Sequence, residues 1–140
     1  MSYFLSIPKN PEVSILSCNN ITGSANAADP FYLVPTYLDG QFNPIAGSDI
    51  ILTSGYEYFL EFVPISTNSI NINFSLEIDS NIVNTGWSLG SSTVSSTIKN
   101  VLMYTYKPDS NSIVKMKINS SAVNSTIITN NTRLIIWRVL

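Results

Sequence analysis

The sequence contains no histidine, a single cysteine at Cys18, and only 11% charged residues. Without histidine there is no imidazole base and no Cys/His metal cluster, and one cysteine cannot close an internal disulfide. Seven basic residues, scattered from Lys9 to Arg138, stand against nine acidic ones and leave a net charge of −2. No cationic stripe can track a phosphate backbone, which argues against nucleic-acid binding. No apolar run approaches the ~20 residues needed to span a bilayer, so membrane insertion is not expected. The opening stretch from Met1 to Asn10 also lacks a cationic segment followed by an apolar core, so a secretion leader is not visible and synthesis in a cytoplasm is expected. Helical periodicity is missing as well.

In place of charge, the chain carries 21 Ser, 16 Asn and 11 Thr, a profile shared with strand-rich structural and adhesive proteins. Five Asn-x-Ser/Thr sequons occur, at Asn20, Asn73, Asn119, Asn124 and Asn130, and this composition generates such matches by chance. At 140 residues the chain makes one domain, long enough to bury roughly two-thirds of its extended surface.

Apolar residues alternate or run in short blocks between clusters of Asn, Ser, Gly and Pro, which is the pattern of many short strands. Strands are expected at Val13 to Cys18, at Phe31 to Tyr37 with a break at Pro35, from Ile50, and from Gly55 to Val63. Others are expected over Ile72 to Asp79, Ile98 to Tyr106, Ile113 to Ile118, Ile127-Ile128 and Arg133 to Leu140. Gln41 to Ser48 reads as a loop, Asn68-Ser69 as a hairpin-like connection, and Asn81 to Ser96 as a short strand or long exposed loop. In the strand after Gly55, Tyr56, Tyr58, Leu60 and Phe62 form the core face. Ile72, Phe74, Leu76 and Ile78 alternate with Asn73, Ser75, Glu77 and Asp79, which are expected to face water. Roughly eight strands at such spacing point to an all-β antiparallel sandwich or jelly roll.

The carboxylates do not assemble into chemistry. Glu57 and Glu61 share a strand face but stand roughly 13 Å apart at standard rise, too far for a glycosidase pair. Glu77 and Asp79 lie outside any Asp-x-Asp-x-Asp-Gly loop, and serine has no histidine to activate it. No enzymatic activity, metal or cofactor is expected. Cys18 ends an apolar run and reads as a small buried hydrophobe. Trp87, in a Gly/Ser-rich stretch, is a candidate glycan-stacking residue, although a core tryptophan explains it more simply.

The last eight residues are apolar on both strand faces: Ile135, Trp137 and Val139 point one way, Leu134, Ile136 and Leu140 the other, with Arg138 the polar interruption. A chain end of this kind must lie between two hydrophobic layers, and in a small domain the second layer is expected to be another subunit.

The aromatic strand opened by Gly55 (Tyr56-Glu57-Tyr58-Phe59-Leu60), the alternating strand after it, Met103-Tyr104-Thr105-Tyr106, and the apolar closing strand together resemble the tumour necrosis factor and complement C1q-like jelly roll. Small domains of this type are also similar to bacteriophage head fibres and capsid decoration proteins. The resemblance implies a homotrimer, with Tyr56, Tyr58, Tyr104, Tyr106, Leu134, Ile136, Trp137, Arg138 and Leu140 at the trimer interface. It further implies a jelly-roll domain over residues 31–140 and a docking arm over residues 1–30. The expected function is that of a non-enzymatic virion component that contacts capsid or other virion proteins. A carbohydrate-binding lectin or adhesin that contacts host glycan through Trp87 is the alternative.

Overall fold

The computed structural model describes residues 10–19, 31–63, 65–66, 72–88, 97–98, 101–121 and 132–140. They form strands and turns and no helix: β1 (Glu12–Asn19), β2 (Phe31–Tyr32), β3 (Val34–Gly40), β4 (Ile45–Ala46), β5 (Asp49–Leu52), β6 (Glu57–Val63), β7 (Ile65–Ser66), β8 (Ile72–Ile78), β9 (Asn81–Ser88), β10 (Thr97–Ile98), β11 (Leu102–Tyr106), β12 (Ser112–Ser121) and β13 (Arg133–Val139). One sheet has the order β11-β6-β13-β1-β3 and a second the order β4-β5-β12-β8-β9, with β2 pairing onto β12. β7 and β10 form a separate pair. All pairings are antiparallel, and sequence neighbours cross between sheets, so the architecture is an antiparallel jelly-roll sandwich.

Period-two alternation decides which side chains fill the space between the sheets. Leu16, Leu60, Phe62, Leu134 and Ile136 from the five-stranded sheet meet Ile50, Leu52, Phe74, Leu76 and Met116 from the other, all buried. Phe62 and Phe74 cross the gap edge to face, ring centroids 5.9 Å apart at 83°. Tyr58 is buried among them and satisfies its phenol on Thr53, donating to the backbone carbonyl at 3.1 Å and accepting from the backbone N–H at 3.0 Å.

Several expectations need correction. Residues 12–19, inside the span read as an arm, form β1, an interior strand between β13 and β3. Residues 1–9 and 20–30 lie outside the described residues, as do Asn68-Ser69 and Ile127-Ile128. β6 and β8 belong to different sheets, so Asn68-Ser69 does not join a hairpin. Pro35 sits within β3 rather than breaking it, because β3 is an edge strand whose missing N–H costs no ladder bond. Of the stretch read as a short strand or a long exposed loop, residues 81–88 are the edge strand β9. Asp79 and Ser80, at φ 51° and 68°, close a two-residue hairpin from Ile78 to Asn81, and Asp79 Oδ1 accepts the Ile113 N–H at 2.9 Å. Finally, Ser75 and Glu77 are buried, not solvated. Glu77 accepts the Tyr32 hydroxyl at 3.1 Å and has Lys117 Nζ 4.0 Å away. Desolvation and then this carboxylate raise the Tyr32 phenol above its ordinary value.

Candidate functional site

The five-stranded sheet turns one face into the sandwich and the other outward. Along β13 the burial alternates, with Leu134 and Ile136 buried and Arg133, Ile135 and Trp137 half-exposed. β6 repeats the pattern, burying Tyr58, Leu60 and Phe62 and presenting Phe59, Glu61 and Val63. Register then aligns the outward set into cross-strand rows. Val13, Trp137, Phe59 and Thr105 make one row, and Ile15, Ile135, Glu61 and Met103 the next. Met103 is 52% exposed at the β11 edge, and Leu38, beside the bulge in β3, is 48% exposed at the other. A water-facing side of an antiparallel sheet is normally polar, and this one is mainly apolar across five strands. At its Pro11 end, Glu57, Phe59, Thr105, Trp137 and Val139 line an open hollow of about 400 Å³.

The polar groups on this face are few. Trp137 Nε1–H donates to Glu61 Oε1 at 3.1 Å, which fixes the indole across the strand pair. Glu57 is exposed near the end of the sheet, and Arg133 donates to the Thr132 carbonyl at 3.3 Å. Among the described residues no three His, Cys, Asp or Glu side chains group as metal ligands.

The nine residues that the sequence placed at a trimer interface are divided by this geometry. Tyr58, Leu134 and Ile136 are buried inside the chain's own sandwich and have no surface to offer a second subunit. Tyr56, Tyr104 and Tyr106 pack against the same core from its margin, Tyr106 with its hydroxyl 2.9 Å from Ser112 Oγ. Arg138 lies at the end of the core face, where its Nε donates to Glu12 at 3.0 Å. Leu140 is 73% exposed beyond the last strand. Trp137 stands on the outward face. Sequence reasoning divided β13 correctly into two faces, and the face that carries Leu134 and Ile136 is the one turned into the sandwich. It did not single out the outward apolar set of Val13, Ile15, Phe59, Val63 and Ile135, whose signal is that the positions alternating with the core set are apolar too. The Trp87 side chain, the candidate glycan contact, lies outside the described residues.

The fold is that of a tumour necrosis factor-like jelly roll. Murine APRIL, in a crystal structure at pH 8.0, superposes with a TM-score of 0.58 at 13% sequence identity over 94% of this chain and 100% of that one. A second structure of murine APRIL, at pH 8.5, gives 0.56 at 11% identity over the same shares, 94% and 100%. The likeness is one of fold. No family model matches the sequence, and no curated protein matches it.

Proposed function

We propose that the protein is a non-enzymatic structural module that assembles as a homotrimer through the outward face of the five-stranded sheet, and that it serves a virion as a capsid decoration or head-fibre component. The observation that carries the assembly reading is the apolar face itself. Val13, Ile15, Phe59, Ile135 and Trp137 form a continuous half-exposed surface over the central strands. Covering it removes apolar area from water at roughly 25 cal/mol per Å², which is the main driving force for association. Three copies related by a three-fold axis present the same two flanks to each other and close without leaving a sticky edge. The weakly charged, Ser/Asn/Thr-rich composition supports the virion role, since it suits a surface that persists outside cells without attracting nucleic acid.

Two measurements test this. Native mass spectrometry is expected to give a species three times the 15.4 kDa chain; a stable monomer at micromolar concentration overturns the assembly reading. Sedimentation with purified particles tests the virion role, and a protein that never cosediments with them overturns it.

A further inference from the structure

The second sheet has a gap between β5 and β2, with one charged side chain on either side of it. β12 pairs with β5 as far as Val114 opposite Ile50, and one further step of that register would set Lys115 against Asp49 as a cross-strand ion pair. The ladder stops short of that step. The chain around β2 takes over instead, with Tyr32 opposite Lys117 and the Leu33 N–H donating to the Met116 carbonyl at 2.9 Å. The two charges are left apart, and neither Asp49 nor Lys115 has an ion-pair partner among the described residues. Between them lies an open hollow of about 180 Å³. Leu33, Val34 and Pro35 give it an apolar wall, and Ser48, in the turn between β4 and β5, adds a hydroxyl at the rim. Its donor side is held in place. The Lys115 ammonium sits 5.0 Å from the Tyr32 ring centroid, and Tyr32 is pinned through its hydroxyl to the buried Glu77.

These walls select the chemistry of an occupant. It needs an apolar patch for Val34 and Pro35, one group that accepts from the Lys115 ammonium, and another that donates to the Asp49 carboxylate. It needs no net charge, because the rim carries one charge of each sign. A pyranose meets all three requirements, since its ring presents C–H groups on a face and its hydroxyls both donate and accept. The hollow has room for one such ring and falls short of the ~300–1,000 Å³ of pockets that enclose larger ligands. We propose that the hollow between β5 and β2 binds a single neutral pyranose residue of a glycan, with Asp49 and Lys115 as its polar contacts. The site uses no residue of the outward apolar face of the five-stranded sheet, so it stands or falls independently of the assembly reading.

Ligand-observed NMR titration of the full chain with the methyl glycosides of glucose, galactose, mannose and N-acetylglucosamine tests the assignment. At least one is expected to saturate in the millimolar range. Asp49→Asn and Lys115→Met, each checked for native circular dichroism, are expected to weaken that binding about tenfold or more, as the loss of one charge-assisted hydrogen bond does. Lys107→Met, at an exposed lysine away from the hollow, is expected to leave it unchanged. The methyl glycoside of N-acetylneuraminic acid and free alanine serve as anionic and zwitterionic comparisons. Failure of every neutral glycoside to saturate up to tens of millimolar overturns the inference. So does binding that survives both Asp49→Asn and Lys115→Met, or tighter binding of either charged comparison.

Discussion

Two buried or half-buried polar residues show how individual side chains are accommodated in a domain with so little charge. Arg138 closes the end of the core because its flat guanidinium has somewhere to go on every side. It lies 3.9 Å from the Phe42 ring centroid and 4.3 Å from that of Tyr56, and it reaches Glu12 in the plane. A planar, weakly hydrated cation suits such a slot where a lysine ammonium does not. Cys18 is the opposite case, a thiol with nothing to react with. Burial pushes it up to about 12 from its ordinary 9.0, against smaller lowering effects from a backbone hydrogen bond at Leu134 and the charge of Arg133. The consequence for stability follows from the proton balance. Between pH 9.0 and about 12 the unfolded thiol has lost its proton while the folded one keeps it, so this contribution is flat below that window and falls steadily as pH rises through it. Urea melts of wild type between pH 8 and pH 11 are therefore expected to lose about 1 kcal/mol per pH unit above 9 relative to Cys18→Ala, whose own melts start lower but lack this component. Parallel profiles for the two proteins would remove the assigned cause.

At the scale of strands, the corner between β1 and β3 depends on one glycine. Gly40 adopts φ +131°, and a Cβ there would stand 2.2 Å from the Val13 carbonyl oxygen, which belongs to backbone and cannot step aside. That same carbonyl accepts the Gln41 N–H at 2.8 Å, while Gln41 Oε1 accepts the Val13 N–H at 2.7 Å, so the corner is knotted on both sides. Gly40→Ala is expected to cost about 3 kcal/mol, from the strained backbone and the forced displacement of β1, measured by chemical denaturation. A cost below about 0.5 kcal/mol would mean that the corner relaxes freely. This corner also shows what the sequence conveyed. Strand positions were legible wherever alternation was clean, as in Tyr58-Phe59-Leu60 and Phe74-Ser75-Leu76, because a two-residue period leaves one solution for which side is inside. The close packing of Gly40 on β1 was not legible, since it depends on a contact 27 positions away between Gly40 and Val13. β9 was left open between a short strand and a loop for a related reason. Asn81, Asn84 and Gly86 interrupt its strand formers Ile82, Val83, Thr85 and Trp87, and the pairing with β8 through the Asp79-Ser80 hairpin decides for the strand. Ser75 and Glu77 read as solvated because polar residues on a clean alternation usually are, and the Tyr32 contact that reaches Glu77 comes from 45 residues away.

For the whole molecule, β13 turns one face into the core and an apolar one outward, and the two are separable by experiment. It is the middle strand of the five, with ladders to β6 on one side and β1 on the other, so every row of the sheet passes through it. Its buried residues belong to folding. Ile136→Ala leaves a cavity between Leu60 and the opposite sheet, and is expected to lower the unfolding free energy by about 2–5 kcal/mol, a large part of what a domain of this size has. Its outward residues, on the function proposed above, are expected to serve assembly. Ile135→Asp puts a second carboxylate directly across from Glu61 on a face that remains open to water in the single chain, so the fold tolerates it. Closing that face would then require burying two like charges per subunit with no added cation, which opposes association strongly. Urea denaturation and sedimentation velocity on both variants separate the roles. Ile136→Ala is expected to unfold at lower urea yet to assemble while folded, and Ile135→Asp to keep native circular dichroism and sediment as a monomer. If Ile135→Asp still sedimented as a trimer, the seam would have to lie elsewhere on the molecule.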